Sequence, residues 1–212
     1  MPRIAKPVTG QMLPRVDATY PTLILKASRD VIHHGALAVA RTLGRLGVPI
    51  YAVVEDAYTP LARSRYLTRA FVWDSWPSDP EAFVKAMSGI AEVISCPAII
   101  IPMDDLSAIF VAENIISLTR WFLFPPVSPQ LPRQLANKVK FYALCAEIGI
   151  PFARSVVPQS LDDVQAFAEG TEFPVIAKAA EQWRLLHNGF STKVIQTPRE
   201  LFEIYENSNR EG

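Results

Sequence analysis

Lys138 and Lys178, forty positions apart, are the side chains whose types and spacing best suit chemistry. Lys138 sits in Asn137-Lys138-Val139-Lys140-Phe141, early in a segment of helical character that ends at Gly149-Ile150-Pro151. Lys178 closes the run Phe173-Pro174-Val175-Ile176-Ala177-Lys178, which has the composition of a β-strand. A lysine ammonium is a compact point charge on a long stem. One from a helix and one from the inner end of a strand can therefore meet on a polyphosphate. Either lysine alone reads as a solvated surface cation; the order of helix, turn, strand and lysine singles out the pair. Lys140 points elsewhere on the same helix and belongs to the surface.

The same residues carry a family resemblance. The helix with Lys138, the Gly149-Ile150-Pro151 turn and the Phe173-Pro174-Val175 strand ending in Lys178 resemble the nucleotide-binding half of the ATP-grasp superfamily, over roughly residues 134–205. There the first lysine follows an Asp, a position held here by Asn137. The upstream half resembles the pre-ATP-grasp domain of the D-aspartate ligase-like carboxylate–amine ligases. The resemblance implies that Lys138 and Lys178 bind ATP phosphates. It implies ATP and Mg²⁺ as cofactors, and a small-molecule carboxylate and an amine as partners. The carboxylate would be activated as an acylphosphate, which the amine then attacks. In the family the metal ligands, a Glu and a Glu-x-Asn, and the adenine hinge follow the lid helix. Glu206-Asn207-Ser208-Asn209 is superficially similar but comes too early, so no metal ligand is assigned. The expectation is an enzyme of ligase type that is not competent for turnover as these 212 residues alone. The alternative is a non-catalytic binding or scaffold protein that keeps the α/β domain.

Further candidates lie upstream. The loop Ala27–Gly35 would sit outside the carboxyl end of a first strand, where open α/β sheets bind ligands. It has one glycine and no GxGxxG, which argues against a dinucleotide site. Arg29, His33 and His34 could meet an anion there, or could simply cap and solvate. The loop 55–66 is charge-rich and reads as solvated surface. The resemblance gives Ser64 and Arg65 within it a substrate-side role, because a Ser-Arg-Tyr follows the second strand in relatives. It does the same for Asp105 in Pro102-Met103-Asp104-Asp105, where helix capping is the plain alternative. The loop Ala179–Ser191 occupies the place of a glycine-rich phosphate clasp but holds only Gly189 among bulky Trp183, Leu185 and Leu186. His187 and Trp183 there read as loop packing. Neither metal-ligand spacing nor a Ser-His-Asp or Cys-His set is present.

The elements that must position these residues follow from periodicity. Thr22–Lys26, Ile50–Val54, Ala70–Trp73, Ala98–Ile101 and Trp121–Phe124 are short apolar runs of the kind found in parallel strands covered on both faces. Helices alternate with them. Ala36–Leu46 ends at Gly47, and another opens at Asp79-Pro80-Glu81 with a capping Asp and a Pro in its first turn. The next starts at Asp104 and Asp105. The fold class is α/β, a Rossmann-like parallel sheet. Past Ser128 the pattern becomes two helices near 129–148, a strand Arg154–Val157, a helix opened by Ser160-Leu161-Asp162-Asp163, strands Pro174–Lys178 and Thr192–Gln196, and a helix opened by Thr197-Pro198-Arg199-Glu200. That is a partial α+β lid. The organisation is a flexible leader over 1–21, an α/β domain over 22–127, and linker helices plus partial lid over 128–212. The incomplete lid edge offers a route to self-association.

Composition agrees with a globular protein: half the residues are apolar and a fifth charged. With 21 basic and 21 acidic residues there is no net charge to draw the chain to nucleic acid or an anionic membrane. The most apolar stretch, Ala108–Phe124, is interrupted by Glu113, Asn114 and Arg120, so no segment spans a bilayer. Cys96 and Cys145 read as reduced, buried thiols of a cytoplasmic protein.

Overall fold

The structure is a computed structural model and describes residues 16–29, 32–180 and 192–210. It divides into two units. The first comprises the chain to Ser107 together with Asn114–Pro125, the second Ala108–Glu113 together with the chain from Pro126.

The first unit holds five parallel strands: β1 (Thr22–Leu25), β2 (Ile50–Val54), β3 (Leu67–Val72), β4 (Ala98–Pro102) and β5 (Phe122–Leu123). Their order is β3-β2-β1-β4-β5. The α/β sheet expected from the apolar runs is thus present, and the order reverses beside β1, between β2 and β4. β1 is buried at all four positions, because it pairs with β2 on one side and β4 on the other. Ile24, Ile50, Ala52 and Val54 pack with Ala36 and Ala40 of helix α1 (His34–Arg45) and with Leu61. Leu23, Leu25 and Val53, which alternate with them, are equally buried, so both sheet faces are covered.

The helix ends follow the sequence signals. Gly47 takes a φ of +83° just past α1, a conformation a side chain would oppose. Helix α2 (Pro80–Ile94) is capped by Asp79, whose carboxylate accepts the Ala82 amide, and it buries Phe83, Met87 and Ile90. Helix α3 (Asp105–Glu113) and the short α4 (Ile115–Leu118) follow β4. Gly44 is used for close approach: a Cβ there would lie 2.6 Å from the Cβ of Tyr66.

In the second unit, α5 (Leu131–Ala136) and α6 (Lys138–Glu147) meet at Asn137. With φ −80° and ψ 115° it ends one helix and caps the next. Arg133 of α5 grips Glu113 with two bonds, at 2.5 and 2.9 Å. Helix α7 (Leu161–Glu169) opens with a full capping box between Ser160 and Asp163. Strands β6 (Val175–Lys178) and β7 (Thr192–Ile195) pair antiparallel, and α8 (Pro198–Arg210) completes the unit. At its start Thr197 Oγ1 accepts the Glu200 amide, and the Glu200 carboxylate reaches the amide of Gln196.

Two expectations are corrected. Arg154–Val157 is not a strand. Residues 151–157 are exposed and join no ladder, and a strand without a partner leaves its backbone groups to water. Arg154 instead donates to the Gly170 carbonyl and lies over the Phe167 ring. Of the two cysteines, Cys145 is buried but Cys96 is exposed. Among the described residues no helix is long and apolar enough to cross a membrane.

Candidate functional site

Lys138 is the first residue of α6, and Lys178 the last of β6. The Lys138 amide donates to the Ala180 carbonyl at 2.9 Å, which ties the start of the lysine-bearing helix to the chain two residues beyond Lys178. The Asn137 side chain accepts the Lys140 amide at 3.0 Å and caps the helix. Asn therefore does here the capping that an Asp would do. Lys138 is half-buried, while Lys140 and Lys178 are exposed. The first turn of α6 carries no acidic residue. Cations at a helix N-terminus sit against the positive end of the dipole, so this corner favours an anion.

On β6, Lys178 shares the open face with Ile176, and across the pair stand Thr192 and Val194. The loop containing Trp183, His187 and Gly189 lies outside the described residues.

Arg29, His33, His34 and Asp105 follow the carboxyl ends of β1 and β4, whereas Ser64 and Arg65 precede the amino end of β3. His33 is the N-cap of α1: its Nδ1 accepts the Ala36 amide at 3.1 Å. His34 is exposed. Arg29 donates to the Asp74 carbonyl. Ser64 and Arg65 belong to the turn before β3. Ser64 Oγ accepts the Tyr66 amide, and Arg65 donates to the Tyr66 hydroxyl at 2.8 Å with its guanidinium over that ring. The Arg65 bond, with a second from Arg45, lowers the Tyr66 pKa. Asp105 is exposed in the first turn of α3.

The preceding acid holds more of the structure. Asp104 Oδ2 accepts the amides of Ala27 and Ser28 at 2.6 and 2.8 Å, and Oδ1 accepts the Ser107 amide at 2.8 Å. It caps α3 and pins the loop after β1 in one stroke. Sequence patterning also missed Lys26 and Glu55. Lys26, the residue after β1, places its ammonium 2.7 Å from Glu55 Oε2, the residue after β2, and donates to the Ser28 carbonyl at 3.0 Å. The charged loop 55–66 is thus not solvated throughout: the Glu55 side chain is only 8% exposed. The signal available was a charged residue terminating each of two adjacent apolar runs.

Arg29 shares one cleft with Lys26, Ser28, Glu55, Trp73 and Trp76, whereas Ser64, Arg65 and Asp105 do not line it. Among the described residues no group of three or more His, Cys, Asp or Glu side chains could hold a metal ion.

No known protein family matches the sequence, and no curated protein does. Solved structures do. The biotin carboxylase domain of a 2-oxoglutarate carboxylase from Hydrogenobacter thermophilus, solved with MgADP, ADP and bicarbonate, aligns with a TM-score of 0.55 at 18% identity, over 89% of this chain and 40% of its own. Biotin carboxylase from Campylobacter jejuni, in a beta-gamma-ATP complex, gives 0.53 at 21% identity, over 89% and 41%. An L-amino acid ligase from Bacillus licheniformis gives 0.53 at 12% identity, over 91% and 42%. At such identities the likeness is one of fold. The chain spans about two fifths of the length of these proteins.

Proposed function

We propose that this chain is the amino-terminal part of an ATP-dependent carboxylate–amine ligase of ATP-grasp type, and that Lys138 and Lys178 hold the nucleotide's phosphates. The observation that carries the assignment is the 2.9 Å bond from the Lys138 amide to the Ala180 carbonyl, which brings the two lysine-bearing elements to one corner. The acid-free first turn of α6 adds to it, because an anion there offsets both the dipole and the lysine charges. The fold neighbours, biotin carboxylases and an L-amino acid ligase, are ATP-grasp enzymes, which supports the same assignment. The finer placement in a D-aspartate ligase-like branch rests on the sequence resemblance alone.

Lys138 and Lys178 fit a polyphosphate by charge and by position. Bound Mg²⁺ supplies charge neutralisation across phosphate oxygens in phosphoryl transfer. The described residues offer no ligand cluster for it, so no step is derived through the metal. What this chain's own residues do is bind and orient: Asn137 fixes the helix start, Lys138 presents a half-buried ammonium, and Lys178 an exposed one.

Calorimetry with a non-hydrolysable ATP analogue tests this on the full chain, with Lys138→Ala and Lys178→Ala beside it. A charged hydrogen bond to each lysine predicts about a 10- to 100-fold loss of affinity per variant. Equal affinity, or equal absence of binding, in all three proteins overturns the assignment and favours a scaffold role.

A further inference from the structure

We propose that Arg45, Arg65 and Tyr66 form a binding site for a phosphate monoester dianion at the amino end of β3. The strands run parallel, so this end of the sheet is opposite the cleft at the carboxyl ends of β1 and β2. The site shares no residue with that cleft or with the lysine pair, and it does not depend on the function proposed above.

Tyr66 lies between the turn that precedes β3 and the end of α1. Gly44 makes room for it: a Cβ there would come 2.6 Å from the Tyr66 Cβ, so only bare backbone lets the tyrosine lie this close to the helix. One position on, in the last turn of α1, Arg45 donates from Nε to the Tyr66 hydroxyl at 3.4 Å. Arg65 donates from Nη2 to the same oxygen at 2.8 Å, and its guanidinium stands 4.9 Å from the centre of the ring. The two bonds together measure 6.2 Å, so the donor nitrogens are no farther apart than that. Like charges held so close repel each other. Neither arginine pairs with a carboxylate among the described residues.

The surroundings do not offset this charge. Residues 36–73 hold Arg41, Arg45, Arg63, Arg65 and Arg69 against only Glu55 and Asp56, in a chain with no net charge. Glu55 is engaged with Lys26 at the other end of the sheet. The Asp56 carboxylate accepts the Tyr58 amide. Asp17, whose neighbours Val16 and Ala18 pack on the core cluster with α1, accepts the Thr19 amide. The Tyr66 hydroxyl feels Arg65 and then Arg45, both of which lower its pKa, and no carboxylate acts against them.

The free groups of the cluster are donors. A guanidinium has five N–H bonds, and each of these two gives one to the tyrosine oxygen. The hydroxyl proton itself has no acceptor among the described residues. The missing ligand must therefore accept hydrogen bonds and carry negative charge. A carboxylate brings two oxygens and one charge, and a phosphodiester brings the same. A phosphate monoester brings three free oxygens and close to two charges, which matches two guanidinium forks and one hydroxyl.

The test is an NMR titration of the ¹⁵N-labelled full chain with methyl phosphate, dimethyl phosphate and acetate. It is run at pH 7, about one unit above the second pKa of a phosphate monoester. Methyl phosphate is expected to shift the Arg45 and Arg65 Nε signals and the Tyr66 amide, with half-saturation at about 1 mM or below. Dimethyl phosphate and acetate, each one charge short, should bind at least about tenfold more weakly. Arg45→Ala and Arg65→Ala should each weaken methyl phosphate about tenfold or more, and Tyr66→Phe about three- to tenfold. Arg41→Ala removes an equal charge one helical turn away and should change affinity less than about twofold. Lys138→Ala and Lys178→Ala should leave these shifts as they are. The proposal fails if methyl phosphate gives no saturable shift, or if dimethyl phosphate or acetate matches it. It fails equally if Arg41→Ala costs as much as Arg45→Ala, which would make the effect one of diffuse charge. Loss of the shifts in Lys138→Ala or Lys178→Ala would overturn it too, by placing the phosphate at the lysines.

Discussion

The Lys26 ammonium and Glu55 Oε2 are 2.7 Å apart, and their side chains are 2% and 8% exposed. A charge pair so far from water is held by mutual neutralisation. Removing one member strands the other. Glu55→Ala is expected to destabilise the protein by about 3–5 kcal/mol, whereas the double variant Lys26→Met with Glu55→Leu should be neutral or slightly stabilising. Urea unfolding of the three proteins measures this, and a single variant as stable as the double one would contradict it.

Asp104 gives a second prediction. Its carboxylate accepts the Ala27 and Ser28 amides, and Asp104→Ala leaves both without their acceptor. A loss of about 2–3 kcal/mol is expected for bonds to a charged acceptor. Hydrogen exchange at Ala27 and Ser28 should rise more than elsewhere in the sheet unit. Uniform change across the sheet would point to general loosening instead.

Much of this architecture was legible in the sequence, and the exceptions share a cause. Ile50–Val54 is a continuous apolar run because a parallel strand covered on both faces leaves no position for a polar side chain. Asp79-Pro80 and Ser160 with Asp163 announced their helices because capping is local chemistry. The pairing of Lys26 with Glu55 is not local. The two residues are 29 positions apart and meet only because β1 and β2 lie side by side. Asp104 and Asp105 are equally suited to cap a helix, and a start one residue earlier or later decides between them. Arg154–Val157 had strand composition but no neighbouring edge, and strand formation is a property of pairs.

Asn137 supplies a third prediction. It caps α6 through its side chain, and Asn137→Ala is expected to cost about 1 kcal/mol. Asn137→Asp should hold stability at or slightly above the parent, since a carboxylate also accepts the Lys140 amide and favours the dipole. Thermal unfolding separates the two variants, and equal losses in both would rule out the cap as the cause.

Gly44 gives a fourth. A methyl group there would lie 2.6 Å from the Tyr66 Cβ, closer than carbon atoms tolerate. Alanine gains about 1 kcal/mol of helix propensity over glycine but must displace the turn, an overpacking cost of about 1–3 kcal/mol. Gly44→Ala is expected to be net destabilising in urea, with the Tyr66 resonances moving most.

The last prediction concerns pH. The Gln159 amide bond and the Ser160 hydroxyl lower the Asp163 pKa below its usual 3.8. A depressed folded value means that the capping box contributes fully above the unfolded pKa and is lost as pH falls through the folded one. A carboxyl ¹³C titration should place the Asp163 midpoint below 3.8. A midpoint at or above that value would show that the box does not persist in solution.

The bonds from Ala27 and Ser28 to Asp104 span 77 and 76 positions of chain. During synthesis at about 5–20 residues per second, the loop after β1 therefore emerges on the order of 4–15 seconds before the acid that fixes it. For that interval the first strand has neither its partner β4 nor a settled end. The cleft that Ser28 lines is thus among the last features of the sheet unit to be completed on the ribosome, though its residues are among the first made.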